Sequence, residues 1–337
     1  MNRVAIVVLN WNGADIIGKC LYSLKKLQYR NFQIVVVDNN SQDTSREVLQ
    51  KMEKEFGDLL HVIYHHTNSG FDGGVNIGIH YALSHGFDSV ALFNSDAEPD
   101  KKWLGYLVDI LKTKKEVGIA TGLLLHEDGK TIDSTGDWYS KWGLSFPRSR
   151  DQKSNIIPES GYVFSASGGA SLYRVELFKD IGIFDEDFFA YYEDVDISFR
   201  AQLAGWKVYY TNKAIAYHEQ GGTSKKIPGF TIKQTFRNLP LLFIKNVPAP
   251  FLIPIGFRLF LAYWLMLFNT IRHGSFHHAF RGWLESIYLS PAALRHRFSI
   301  QKRKRVSNKY IWSIIWKDLP PEQSGLRKFR ALFGVKS

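Results

Sequence analysis

Apolar residues along the chain repeat with two periods. Val4–Leu9 is an unbroken run rich in β-branched residues, the pattern of a strand buried on both faces. Short apolar runs return at Gln33–Val37, His61–Tyr64, Ser89–Phe93 and Gly118–Leu125. Between them the spacing changes to three and four: Ile16, Ile17, Cys20, Leu21 and Leu24 within 15–27, then Val48, Leu49 and Met52 within Thr44–Phe56. These windows predict helices, as do Asn76–His85 and Trp103–Lys112. Strands alternating with helices across short connections predict a doubly wound, parallel α/β sheet.

The regular pattern pauses over 126–165, which is polar and aromatic without a clear period, and resumes over 166–224. There Val195, Phe199 and Leu203 share a helical face, and Lys207–Tyr210 with Ala214–Tyr217 predict extended chain leading to His218. Gly221-Gly222-Thr223-Ser224 then reads as a mobile loop. Near 225 the composition changes again, toward LFLAYWLMLF at 259–268 and four consecutive basic residues at Lys302–Arg305. The expected organisation is a unit at 1–224, divided into 1–125 and 126–224, followed by a basic, aromatic-rich helical extension at 225–337.

Charge sharpens that division. The net charge of the 337 residues is +11, but 225–337 holds 20 Lys and Arg against 3 Asp and Glu, and the front part is net negative. An acidic front argues against a nucleic-acid-coating domain, while the basic extension with its 19 aromatics suits an anionic lipid surface. The clean apolar run of ten residues is short for a span, so an interfacial helix at 251–271 is expected, with the basic residues from Arg295 to Lys309 on lipid headgroups. The first apolar run is too short for a secretory signal, and a single cysteine, Cys20, excludes a disulfide-stapled fold. A cytoplasmic protein, peripheral on the inner membrane face, is the expectation, with a homo-oligomer left open.

Chemistry-bearing residues gather where the predicted strands end: Asn10 and Asn12, Asp38, Asn68, then Asn94-Ser95-Asp96. In open α/β sheets, ligands sit outside the carboxyl ends of strands. Asp96, with Asn94, offers hard oxygen donors for a divalent cation on a diphosphate, although these residue types also build ordinary turns. The glycine-dense segment 68–78, with Gly73, Gly74 and Asn76, opens a predicted helix whose backbone N–H groups could hold phosphate or ribose oxygens. It equally reads as a tight loop, and it lacks the Lys-Ser/Thr of a P-loop. Glu193 and Asp194 stand at a predicted helix start, where the dipole favours ionised carboxylates, and Asp194 is placed to accept a proton from a hydroxyl. Asp196 is assigned to a structural pair with Arg200.

Together these pieces resemble the family 2 inverting glycosyltransferases of the GT-A fold, particularly the rhamnosyltransferase-like members. The resemblance is carried by VAIVVLNWNG (4–13), VVVDNNSQD (35–43), NSGFDGGVNIG (68–78), LFNSDAEPD (92–100), GGASLYR (168–174) and IGIFDEDFFAYYEDVDISFRAQLAGW (181–206), followed by His218. It implies a nucleotide-diphospho-sugar transferase fold, Rossmann-like, with a mostly parallel sheet. It also implies that Asn10 and Asp38 contact the nucleoside with Asn12 and Asn68 nearby, that Asp96 holds Mg²⁺ or Mn²⁺ with His218 approaching it, and that Asp194 is the base beside Glu193. Where many members carry Asp-x-Asp, this chain has Asn94-Ser95-Asp96, which implies weaker metal binding. The implied reaction moves a sugar, first choice rhamnose from dTDP-rhamnose, to a hydroxyl of a glycan or lipid-linked glycan in cell-surface polysaccharide synthesis. A UDP donor of N-acetylglucosamine, galactose or glucose is the alternative. A nucleotidyltransferase or a nucleic-acid-binding module is the reading from other classes.

Overall fold

The computed structural model describes residues 2–219 and 227–319; the predicted loop at 221–224 and the end of the basic extension lie outside them. The α/β part runs β1 (Val4–Asn10), α1 (Ile17–Lys25), β2 (Phe32–Asn39), α2 (Ser45–Phe56), β3 (Leu60–His65), α3 (Gly70–Ser84), β4 (Ser89–Asn94), β5 (Ala97–Pro99), α4 (Trp103–Thr113) and β6 (Val117–His126). Four short strands follow: β7 (Ile132–Ser134), β8 (Asp137–Tyr139), β9 (Ser145–Pro147) and β10 (Gly161–Val163). Then come β11 (Ala170–Arg174), α5 (Val175–Ile181), α6 (Glu193–Ala204) and β12 (Lys207–His218). Four helices close the description: α7 (Phe230–Asn246), α8 (Leu252–Arg272), α9 (Phe276–Lys302) and α10 (Asn308–Ile314).

The main sheet has the order β10-β12-β6-β11-β4-β1-β2-β3. β1 runs parallel to β2 and β4, and β6 parallel to β12, while β11 is antiparallel between β4 and β6. Side-chain alternation divides the strands between two cores. Val4, Ile6 and Val8 meet α1, α2 and α4 on one face; Ala5 and Val7 meet α3, α5 and α6 on the other. The two extended segments predicted before His218 are one strand, broken in register between Tyr210 and Ile215.

Helix α3 starts at Gly70, six residues earlier than its apolar spacing predicts. The reason is close packing. A Cβ at Gly74 would collide with Leu9 and one at Gly78 with Val7, so the i, i+4 glycines let α3 lie flush on β1.

The helical extension shares a third core with the α/β part: Phe188, Val195, Phe199 and Leu203 pack with Leu241, Leu242, Val247, Ile255, Ala293 and Ile311. A buried charge network reinforces this junction. The Lys245 ammonium, 2% exposed, pairs with Asp185 and lies 2.9 Å from Asp196. Asp196 also accepts from Arg200 at 2.8 Å, the pairing expected from sequence, and from the Asn246 amide at 2.7 Å. The Lys302–Arg305 run is exposed at Lys302, Arg303 and Arg305, and part of it is bound to the protein. Arg305 makes a fork to the Asp180 carboxylate at 2.6 and 2.8 Å, Arg303 bonds the Asp180 carbonyl at 3.2 Å, and Lys304 reaches Asn308. The Asp180 carboxylate on α5 therefore holds Arg305, and the Asp180 carbonyl holds Arg303.

Removing one partner of a buried charge network leaves the others uncompensated. Lys245→Met should cost about 3–5 kcal/mol, read as a lowered urea midpoint; an unchanged midpoint would show that the network does not hold the helices to the sheet.

Candidate active site

A cleft of about 850 Å³ opens where β1, β2 and β4 end, bounded on its far side by the start of α6 and the first turns of α7. Its walls carry Asn68, Asn94, Ser95, Asp96, Glu193, Asp194 and His218 from the sequence-predicted set. The backbone explains why His218 is here, although it lies far along the chain from the 94–96 turn. β12 pairs with β5, with His218 opposite Ala97, so the imidazole lies beside the turn.

His218 is held on both ring nitrogens. Nδ1 lies 2.8 Å from the Asp133 carboxylate; Nε2 lies 3.0 Å from Asp96 Oδ1 and 3.1 Å from the Asn94 amide. Asp133 is itself bound by the Arg150 guanidinium at 2.9 Å. Burial favours neutral imidazole, but bonds to Asp133 and Asp96 outweigh it and raise the His218 pKa to about 9. The bond from His218 and the charge of Arg150 outweigh burial in the opposite sense at Asp133 and keep it ionised. The site suits a divalent cation. A separation of 3.0 Å between Asp96 Oδ1 and His218 Nε2 matches the edge between adjacent ligands at bond lengths of about 2.1 Å. A carboxylate oxygen and an imidazole nitrogen form a donor pair that Mn²⁺ accepts, and Asp133 would fix the tautomer that leaves Nε2 facing the ion.

Asp194 stands across the cleft. Gly168 N–H donates to Oδ2 at 3.0 Å and Val195 N–H to Oδ1 at 2.8 Å. Burial pushes its carboxyl up, against the pull of these two bonds. Glu193 is only 8% exposed, and its Oε2 has no hydrogen-bond partner. Burial and then the charge of Asp194 push Glu193 well above the ordinary carboxyl range. Asp137, which also lines the cleft, is raised for the same two reasons. The environments thus separate the acids: Glu193 and Asp137 are driven toward the protonated form, while Asp194 keeps two donors that favour its anion.

The rest of the predicted set does not line the cleft. Asn10, fully buried, donates to Asp38 Oδ1 at 2.9 Å, and Asp38 accepts from the Ser41 hydroxyl at 2.6 Å. Asn12, at φ 51°, accepts from Gln42 N–H at 2.7 Å. Gly73, Gly74 and Asn76 sit inside α3 and do not line the cleft. Gly73 abuts Ser69, Gly74 abuts Leu9, and Asn76 exchanges hydrogen bonds with the backbone of Phe184 at 3.0 and 3.1 Å. Sequence reasoning missed Asp133, Asp137 and Arg150. They fall in the aperiodic segment, on three-residue strands and the adjoining turn, and the only signal there is the pair of acids in Ile132-Asp133-Ser134-Thr135-Gly136-Asp137. Among the described residues, Asp185, Asp187 and His296 also come within metal-binding distance of one another. This group does not line the cleft, and Asp185 already pairs with Lys245 and His296.

A mostly parallel sheet with this cleft at its strand ends, extended by C-terminal helices, is a GT-A glycosyltransferase fold. The family model for glycosyltransferase like family 2 matches residues 2–239; the chain belongs to that family and is a glycosyltransferase. It is 27% identical over 225 residues to a low-salt glycan biosynthesis hexosyltransferase of Haloferax volcanii, covering 65% of this chain and 68% of that one. It is 23% identical over 220 residues to a poly-beta-1,6-N-acetyl-D-glucosamine synthase of Staphylococcus aureus. That match covers 64% of this chain and only 50% of the synthase. Two solved structures share the fold. A mannosyltransferase from Pyrobaculum calidifontis, in complex with GDP-Man and Mn²⁺, has TM-score 0.55 at 15% identity, over 93% of this chain and 83% of its own. Staphylococcus aureus TarS has TM-score 0.54 at 16% identity, over 89% and 90%.

Asp72 offers a test of the electrostatics. It is fully buried, neither carboxylate oxygen has a hydrogen-bond partner, and burial with the charge of Glu193 raises it well above its ordinary value. A raised folded-state pKa means that the protonated form fits the fold, so stability is lost as pH rises through that value. Asp72→Asn should therefore raise the melting temperature at pH 8, by about 2–4 °C per kcal/mol recovered. The gain should vanish near pH 4, and an equal gain at both pH values would refute the assignment.

Proposed function

We propose that this glycosyltransferase inverts the anomeric centre of a nucleotide-diphosphate sugar, with Asp194 as the base that deprotonates an acceptor hydroxyl. The observation that carries the reading is the opposition, across one cleft, of an oriented carboxylate at Asp194 and the Asn94–Asp96 turn with His218. A hydroxyl is a poor nucleophile until its proton is taken, and a carboxylate with two fixed donors stays aimed while it accepts that proton. Attack from the face opposite the diphosphate needs no enzyme nucleophile. Asp96 and His218, with Asn94 beside them, would hold Mg²⁺ or Mn²⁺, which when bound offsets charge on the departing diphosphate. Asn68 in the cleft wall marks the nucleoside end of the site, with Asn10, Asp38 and Asn12 outside the lining, and Ser95 lies in the wall on the diphosphate side. The Mn²⁺ and GDP-Man of the Pyrobaculum structure support a donor and ion of these classes.

For the donor we put dTDP-rhamnose first, on the motif resemblance, with a UDP-linked sugar as the alternative; the GDP-Man of the Pyrobaculum structure adds a GDP-linked hexose. The acceptor is a glycan or lipid-linked glycan. Transfer with Asp194→Asn should fall about 10²–10⁴-fold, while stabilisation of the protein by sugar nucleotide with Mn²⁺ is unchanged. Wild-type turnover in this variant would leave Asp194 a helix-start residue only. Because burial raises Asp194, the wild-type rate should climb with pH through a value above the ordinary carboxylate range.

We also propose that the enzyme works on the inner membrane face, seated by α8 and α9. Ala249–Arg272 is long and apolar enough to cross a bilayer, with mean hydropathy 1.9 and 28% of its apolar window buried. Ile255, Leu259, Ala262 and Tyr263 face the protein, whereas Ile253, Phe257, Phe260, Trp264, Phe268 and Ile271 form an exposed stripe, with Ile253 85% exposed. A helix packed on one side and apolar on the other suits a place in the interface. The protein should float with anionic liposomes, and Phe257→Asp with Trp264→Asp should release it even at low salt. Retention of the double variant would place the contact elsewhere.

A further inference from the structure

The segment leading into Glu193 and Asp194 is held in an unfavourable backbone conformation. Phe189, Tyr191 and Tyr192 have φ of 63°, 68° and 73°, a region that L-residues with aromatic side chains rarely occupy. All three line the cleft, and α6 begins at the next residue. Three aromatic residues in this conformation within four positions persist only where the surroundings over-determine them.

The surroundings come from α7. Asn238, fully buried, places its amide nitrogen 2.9, 2.8 and 2.8 Å from the carbonyl oxygens of Phe188, Ala190 and Tyr191. Three carbonyls around one terminal atom require that atom to be the NH₂ group, whose two hydrogens are shared among them. Gln234, 1% exposed, donates to the carbonyls of Phe188 and Ala190 at 3.1 Å each. Arg237 adds a bond to the Phe188 carbonyl at 3.0 Å. The opposite side is closed by α3: Phe71 N–H donates to the Phe189 carbonyl at 2.6 Å, and a Cβ at Gly70 would collide with that same oxygen. The first turns of α7 also reach the rings, with Phe230 6.3 Å from Phe189 and 6.0 Å from Tyr191, and the Thr231 hydroxyl 3.2 Å from the Tyr191 phenol.

We infer that Gln234, Arg237 and Asn238 are positioning residues for the transfer reaction: they clamp the 188–192 backbone, and through it set the aromatic wall of the cleft and the place of Asp194. The inference rests on the reading of Asp194 as the base. The residues act through the loop and do not themselves touch substrate. Carbonyl oxygens turned inward need donors, because a buried unpaired carbonyl is costly. With those donors removed, the aromatic residues relax to negative φ and the helix start shifts with them.

The test uses the full chain, in Asn238→Leu and Gln234→Met, which keep side-chain volume and remove the donors. Phe236→Ala is the control: it opens a cavity in the same helix on the side packed with Tyr263, Leu267 and Ala279, away from the loop. Hydrogen exchange below the melting temperature should quicken at least tenfold over 186–194 in the first two variants and stay at wild-type rates over β1. Phe236→Ala should lower the melting temperature with no change over 186–194. In transfer to water from the sugar nucleotide that stabilises the protein most, kcat should fall about tenfold or more with the sugar-nucleotide KM unchanged. Unchanged exchange over 186–194 in Asn238→Leu and Gln234→Met, or an equal rise in Phe236→Ala, would overturn the clamp. If UDP, GDP and dTDP with Mn²⁺ all fail to stabilise wild-type protein, the donor reading falls, and the exchange data still decide the clamp.

Discussion

A buried ammonium joins the two parts of this enzyme. Lys245 on α7 sits between Asp185, in the segment before α6, and Asp196 within α6. Burying a charge is costly unless it is paired and hydrogen-bonded. Here the pairing is specific: Asp196 also binds Arg200 and Asn246, and Asp185 also binds His296 of α9. Because α6 carries Asp194 on its first turn, the network that secures the helices also secures the acid end of the cleft. The helical extension therefore acts as part of the site's frame, and the apolar face of α8 and α9 stands on that frame.

The cleft contains more acid than base. Asp137 and Glu193 in its wall, and Asp72 near Glu193, are buried, and each is driven toward its protonated form by burial and by another carboxylate. Asp133 avoids this because His218 bonds it and the Arg150 guanidinium stands beside it. Two electrostatic environments result within one cavity. One is a charged network at the turn after β4, suited to an ion and a diphosphate. The other is a low-dielectric acid cluster at the start of α6, where a single carboxylate retains two backbone donors. That division is what a transferase needs from a leaving-group side and a base side.

Legibility followed periodicity. β1, β2 and β4 are buried on both faces, so their continuous apolar runs were readable, and the polar residues closing them marked the site. The Val195, Phe199 and Leu203 spacing placed Glu193 and Asp194 at a helix start, and the Asp196–Arg200 pair followed from i, i+4 geometry. The glycine segment was misread in extent. Glycine has poor helix propensity, so 70–75 looked like loop, whereas close approach to Leu9 and Val7 makes glycine the residue that fits there. Nothing local in the exposed basic run at 302–305 reveals Asp180 as the partner of Arg305.

The sequence by itself determined the family, the α/β alternation, the strand-end acids and the helix bearing Asp194, because each depends on local spacing or on contiguous motifs. Tertiary structure decided the rest. It chose Asp133 and Arg150 as the supports of His218, drew Asp180 onto Arg305, and forced Phe189, Tyr191 and Tyr192 into left-handed backbone under α7. Those outcomes join positions tens to more than a hundred residues apart. Such contacts leave no period in the chain; they arise when buried donors, acceptors and charges must find partners within a closed interior.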